Sequence, residues 1–300
     1  MSTMPPPVSR PAARAASRGT PAGRRARRER RRRIQSTLEA LLLIIIAFLV
    51  LFPIVWMVAT AFKNPADVYR YTMWFHPTLD NFRVIFSERW NIGRNILNST
   101  IIATTVVVIA TPLAVGASYA FSRLTFPLKR TMFQWILLTQ FIPAVAIVLP
   151  FYVMFRTLGL LDTYIALIIV NLSVVLPYAI WTIKGFIDAI PIEAEEAAIV
   201  DGAGRFRVIW DIVVPMARPG IMTAAIFCFI LTWNEFLFGY LLTRKDAVPL
   251  PVGLISFVLE RGTVWELVAA TGIIITIPMF FFAMMIQRHF TKGMNLGAVR

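Results

Sequence analysis

The chain has 300 residues, 58% of them hydrophobic and only 15% charged, with a mean hydropathy of +0.69. So much apolar residue is foreign to soluble domains, and long uncharged windows between short charged connectors are what a bilayer selects. The net charge of +14 would suit nucleic acid, but eleven of the 30 Lys and Arg residues precede Ile34, and little basicity is left once that segment is set aside. Cys228 is the single cysteine and His76 and His289 are the two histidines. No disulfide can form within the chain, and a zinc site, which takes about three or four such ligands, lacks donors.

Residues 1–35 are rich in Pro, Ala, Arg and Ser and read as a disordered cytoplasmic tail. Residues 36–300 read as a membrane domain with six apolar windows: Ala40–Phe62, Leu97–Phe121, Met132–Phe155, Tyr164–Phe186, Gly220–Leu242 and Leu267–Ile286. At 1.5 Å per residue each is long enough to cross about 30 Å of hydrocarbon. The first window, with arginines before it and Ala59-Thr60-Ala61 after it, imitates a secretory signal. Its length, Pro53 in its middle and five further spans favour an uncleaved anchor.

With the tail inside, 21 of the 30 Lys and Arg fall on inside segments, which places both termini and the loop after the fourth span in the cytoplasm. Pro53, Pro112, Pro143, Pro150, Pro177 and Pro278 lie within five of the six windows and predict bent helices around a cavity.

Between spans four and five, residues 187–219 form a polar island predicted to hold two short helices. Pro191 suits a first helical turn, and Glu193, Glu195 and Glu196 suit the positive end of the helix dipole. Gly202 can supply the left-handed residue that stops the helix. A second helix is expected from about Ala203 to Val214, with Phe206, Trp210 and Val213 on one face and Pro215 at its end. Six acids against three bases exclude a DNA-binding helix pair. A loop without a partner is a poorer fit than a docking handle, because the island exceeds ordinary connector length.

The stretch Glu196-Ala197-Ala198, then Asp201-Gly202-Ala203, then Ile212 and Pro215 resembles the EAA loop of binding-protein-dependent ABC importer permeases. Thr78-Leu79-Asp80-Asn81-Phe82, Asn98-Ser99, Trp233-Asn234-Glu235-Phe236 and the tail from Gly293 to Arg300 are similar to the carbohydrate, MalG-like branch of that family, so the likeness runs from about Lys63 onward. The resemblance implies an all-α integral membrane protein of six helices whose cytoplasmic two-helix loop docks on a separate ATPase dimer. Glu196, Ala197, Ala198, Asp201, Gly202 and Ala203 would be the docking residues. It further implies a second, different permease chain, an extracytoplasmic solute-binding protein, and a sugar moved by alternating access across a bacterial cell membrane. No cofactor or metal is implied, and no G-x-x-x-x-G-K-[ST] occurs, so ATP chemistry belongs to another polypeptide.

Polar side chains within spans mark cavities or helix contacts. Asn171, Tyr178, Asn234 and Glu235 are candidates for the solute path, since hydroxyl-rich ligands need donors and acceptors beside aromatic faces. Interhelical hydrogen bonding is the competing reading for the same residues. Glu266, at the end of the last window, reads as solvated. A glycerophosphodiester or polyamine cargo, or an ion-coupled carrier using Glu235, are the alternatives to a sugar importer.

Overall fold

The computed structural model describes the backbone of residues 21–70, 74–259 and 262–297, and the side chains of 35–70, 74–258 and 262–285. The chain forms two units, residues 1–56 and 57–300. Helix α1 (Pro21–Ala61) reaches back into the stretch expected to be disordered. Arg and Ala are strong helix formers, so the Arg-rich run extends the helix that the apolar window begins. Residues 1–20 of the expected tail, and the side chains of the Gly293–Arg300 element, lie outside the described residues. From Gln35 the helix is apolar on every side, and Leu43, Phe48 and Leu49 are each about two-thirds exposed. A helix hydrophobic all round is the kind that spans a membrane or fills a core, and this one is long enough to span.

In the second unit, α2 (Pro65–Val68) and α3 (Asp80–Ile85) precede the long α4 (Ile92–Arg123). After α5 (Lys129–Leu138) and a 3-10 turn at Thr139–Phe141 come α6 (Ala144–Thr157) and α7 (Tyr164–Asp188). The island holds α8 (Ile192–Val200) and the start of α9 (Arg205–Arg207), which continues through a π turn, Val208–Val213, into α10 (Val214–Trp233). Helices α11 (Leu237–Leu242) and α12 (Leu250–Gly253), a hairpin of β1 (Val258–Leu259) with β2 (Gly262–Thr263), and α13 (Trp265–Gly297) complete it.

Helices α4, α7 and α10 pack together as the centre of the unit. Val106, Ala110, Ala114 and Ser118 of α4 follow one another at four-residue spacing and are all fully buried. Small residues on one stripe let helix backbones approach closely, which is how helices adhere where water gives no hydrophobic drive. Ser118 adds a hydrogen bond to the Ile180 carbonyl across the contact (2.8 Å).

Five helices are long and apolar enough to span a membrane. The third expected window is not one straight helix: it breaks by 95° between Phe141 and Ala144, so the described residues show five such helices, or six if this bent pair crosses as one. Pro143 is the cause, because it excludes helical conformation at Ile142 (ψ 119°) and is itself extended (ψ 134°). Gln140, just before the break, is tied to α7 by donating to the Val174 carbonyl (3.1 Å). The remaining prolines, Pro53, Pro112, Pro150, Pro177 and Pro278, sit within continuous helices.

The fifth span differs as well. It starts at Arg205 rather than Gly220 and runs unbroken past Pro215 and Pro219 to Trp233, so Pro215 ends nothing. The wider π turn immediately before Pro215 accommodates a residue that would otherwise clash with the preceding turn. Its five-residue spacing buries Val208 and Val213 together and turns Phe206 and Trp210 outward, splitting the face expected to hold Phe206, Trp210 and Val213.

Candidate functional site

Helix α8 begins after Pro191, with Glu193 and Glu195 in its first turn. At its other end the Gly202 N–H donates to Ile199 (3.0 Å) and the Ala203 N–H to Ala198 (2.9 Å), with Gly202 at φ +86°. These are the paired bonds of a Schellman stop. A Cβ on Gly202 would meet nothing within 4 Å, so the requirement for glycine is conformational and not spatial.

Of the expected docking residues, Glu196, Ala197, Asp201 and Gly202 are exposed, while Ala198 and Ala203 are half-buried against the core. Around them stand large apolar side chains with little cover: Ile192, Ile199, Val200, Phe206 and Trp210, with Val200 86% exposed. Phe206 and Trp210 lie ring to ring at 6.0 Å. Exposed large apolar side chains beside charged ones are the composition that protein contacts use.

The loop's inner anchor is a residue that the motif does not single out. Glu195, one position before the motif glutamate, is buried, and its carboxylate accepts from Arg123 Nε (2.6 Å). The same guanidinium donates through Nη2 to the carbonyls of Ile187 (2.9 Å) and Ile190 (2.8 Å), at the C-terminal end of α7. One side chain at the end of α4 therefore ties together α4, α7 and α8. The planar fork of Arg suits three such acceptors, and a cation is favourable at a helix C-terminus. Sequence reading counted Arg123 only toward topology. Its one available signal was a lone arginine closing a span opposite an island of acids.

At the opposite end of α4, the short elements that carry the carbohydrate-permease likeness prove to be fasteners. Asn81 donates to the carbonyls of Ala61 and Lys63 (both 2.8 Å). Asn98 donates to Asp246 (3.0 Å) and Val248 (2.9 Å) and accepts from the Tyr164 hydroxyl (2.7 Å). Ser99 Oγ accepts the Leu250 N–H (2.8 Å), and Trp233 Nε1 donates to Ile275 (3.1 Å). Asp162, left-handed at φ +59°, accepts the backbone N–H groups of residues 244–247 at 2.9–3.1 Å. Partial burial pushes its carboxyl up, but those four N–H groups outweigh burial and hold it below the usual carboxylate value.

The four solute-path candidates separate. Glu235 caps α11, its two carboxylate oxygens accepting from Phe238 (2.8 Å) and Gly239 (3.0 Å). With Asn171, Ser99 and Thr232 it lines a cavity of only about 10 Å³, the size of one water. Asn171 and Asn234 each donate to a carbonyl one turn back, Leu167 and Ile230 (both 2.8 Å). Tyr178 alone opens on a solute-sized space, a groove of about 510 Å³ between α7 and α10 shared with Trp181, Phe186 and Phe227. Glu266, expected to be solvated, is 5% exposed in the first turn of α13, where the helix dipole favours a carboxylate. Among the described residues no cluster of His, Cys, Asp and Glu could hold a metal.

A multi-pass helical membrane protein with a rigid elbow at one end is the architecture of a transport permease. Residues 110–296 match the family described as the binding-protein-dependent transport system inner membrane component, and the chain belongs to that family. It is 37% identical over 228 residues to the trehalose transport system permease protein SugB of Mycobacterium tuberculosis, covering 74% of this chain and 82% of that one. To the trehalose/maltose transport system permease protein MalG of Thermococcus litoralis it is 30% identical over 252 residues, 83% of this chain and 91% of that one. Its fold matches, at TM-score 0.73 and 23% identity, a chain of a bacterial ABC transporter that imports the acidic polysaccharide alginate, over 86% of this chain and 97% of that chain.

Proposed function

We propose that this chain is a permease subunit that moves a sugar or oligosaccharide into the cytoplasm, driven by ATP hydrolysis on a separate ATPase dimer. One observation carries the reading. An elbow stopped by left-handed Gly202 presents exposed Glu196 and bare apolar side chains outward, while Glu195 and Arg123 lock the same elbow to two spans. Movement imposed on α8 is thereby passed to α4 and α7 without slack, which is how a loop transmits alternating access. Glu196, Ala197, Ala198, Asp201, Gly202 and Ala203 form the surface that the ATPase grips.

The Lys and Arg distribution supports an inner-membrane topology with this loop and both termini in the cytoplasm, residues 1–35 as a tail and 36–300 as the permease domain. An extracytoplasmic solute-binding protein and a second, different permease complete the assembly. The trehalose and maltose cargo of the two relatives supports a sugar. Tyr178, in its groove beside Trp181 and Phe227, is the path candidate that the geometry supports, as aromatic rings suit sugar faces.

Glu196→Ala should reduce recovery of the ATPase with the purified permease while leaving membrane insertion intact. Equal recovery would remove Glu196 from the contact. Sugar uptake by vesicles holding this chain alone, without ATPase or ATP, would end the reading.

A further inference from the structure

At the end of α4 remote from Arg123, a hollow of about 310 Å³ opens between the start of that helix, the end of α11, and α12. Asn91, Asn95, Tyr240, Lys245 and Ser256 line it. Asn95 is only 8% exposed and lines the hollow, and among the described residues its side chain makes no hydrogen bond within the protein. Asn98, one turn along the same helix, makes three such bonds. Gly253 stands on the facing wall at a point where a Cβ would collide with Asn95 Nδ2, so a glycine there leaves the amide its room. An amide on the wall of a hollow, with its hydrogen-bonding capacity unused by the protein, is placed for a ligand.

The neighbouring groups have the same character. Asn91, held left-handed at φ +55°, does not cap α4 with its side chain. Tyr240 is stacked on Phe236 on one side (5.6 Å, 9° between rings) and is otherwise exposed, and Lys245 makes no ion pair among the described residues. Two amides, a phenol and two cations, Arg244 and Lys245, beside the rings of Tyr240 and Trp90 offer paired donors and acceptors next to an apolar plate. Ring hydroxyls and the apolar face of a sugar require that set.

We propose that this hollow is a saccharide-binding site on the entry side of the permease, with Asn95 as its central hydrogen-bonding group and Tyr240 as its platform. The proposal rests on the sugar-importer reading and adds a contact made by this chain before solute reaches the groove at Tyr178. The volume lies at the lower limit of small-ligand pockets, about 300–1,000 Å³, and so fits a short saccharide.

The test uses the assembled transporter in nanodiscs and a panel of trehalose, maltose and short alginate oligosaccharides. ATP-driven uptake by the unaltered complex comes first, and absence of uptake for every sugar would overturn the importer reading itself, and this site with it. With the transported sugar, saturation-transfer NMR without binding protein should show contact in the unaltered complex. That signal should fall about tenfold in Asn95→Leu, the loss of one paired amide contact, and strongly in Tyr240→Ala, while affinity for the binding protein stays the same. A signal unchanged in both variants would overturn the site. So would unchanged sugar contact with weakened binding-protein docking, which would make the hollow a protein contact. Tyr240→Ala alters an exposed ring, so it decides the matter if Asn95→Leu does not assemble.

Discussion

At the Arg123 end of α4 a buried ion pair, Glu195 with Arg123, ties the loop to the helix, and exposed apolar side chains stand beside exposed charges on the loop's outer face. At the other end of the same helix, the Asn98 amide, the Ser99 hydroxyl and the Asp162 carboxylate fasten residues 244–250 through their backbone groups, beside an exposed ion pair of Arg94 with Asp246. The first arrangement concentrates the attachment in one charged contact, which moves as a unit and fails as a unit. The second spreads it over many short bonds, so the entry end keeps its shape when any one is lost. On the function proposed above, the part that is pulled upon and the part that stays open are thus fastened in different ways.

The strongest way to break this contrast is Arg123→Ala. It strands the Glu195 carboxylate in a buried place and leaves two carbonyls of the α7 end unpaired, a cost of about 3–5 kcal/mol. ATP-driven uptake should be almost abolished and residues 189–204 should become protease-sensitive. Arg123→Lys, which keeps charge without the fork, should fall between. Wild-type uptake and protease resistance in Arg123→Ala would refute a concentrated attachment.

Next comes Asn98→Leu at the entry end, which frees the Tyr164 hydroxyl and two carbonyls at a cost of about 2–3 kcal/mol. The melting temperature of the solubilised complex should drop and amide exchange in 244–250 should rise. Uptake should persist at reduced rate, because the Asp162 and Ser99 fastenings remain. Total loss of uptake here would erase the difference between the two ends.

Gly202→Val should strain the elbow by about 1–2 kcal/mol through its left-handed backbone alone. More ATP should be hydrolysed per sugar moved, with ATPase recovery retained. An unchanged ratio would mean that the elbow's angle is not what passes the movement.

The smallest effect is with pH. The folded Asp162 titrates below its ordinary value of 3.8, so its stabilisation is complete above that value and is lost as pH falls through the folded pKa. Exchange in residues 244–247 should rise only below about pH 4, and Asp162→Asn should flatten that dependence. A transition near pH 6 would assign it to another group.

Sequence alone determined the class, four of the five long apolar helices near their expected bounds, the acidic island and the stop at Gly202. Hydropathy windows and a glycine's conformational freedom are local properties, legible one segment at a time. It also gave Asn98-Ser99 as an element of the family likeness and Glu235 as a polar side chain within a span, without saying whether they meet solute or protein. Only the tertiary structure decided that they are fasteners and that Glu195, not its motif neighbour, is the anchor, because both depend on which distant backbone groups come within hydrogen-bonding reach. The broken third span and the helix that runs through Pro215 were decided there too. A proline's effect depends on whether its neighbours can widen a turn, as the π segment before Pro215 does, or must leave the helix, as at Ile142.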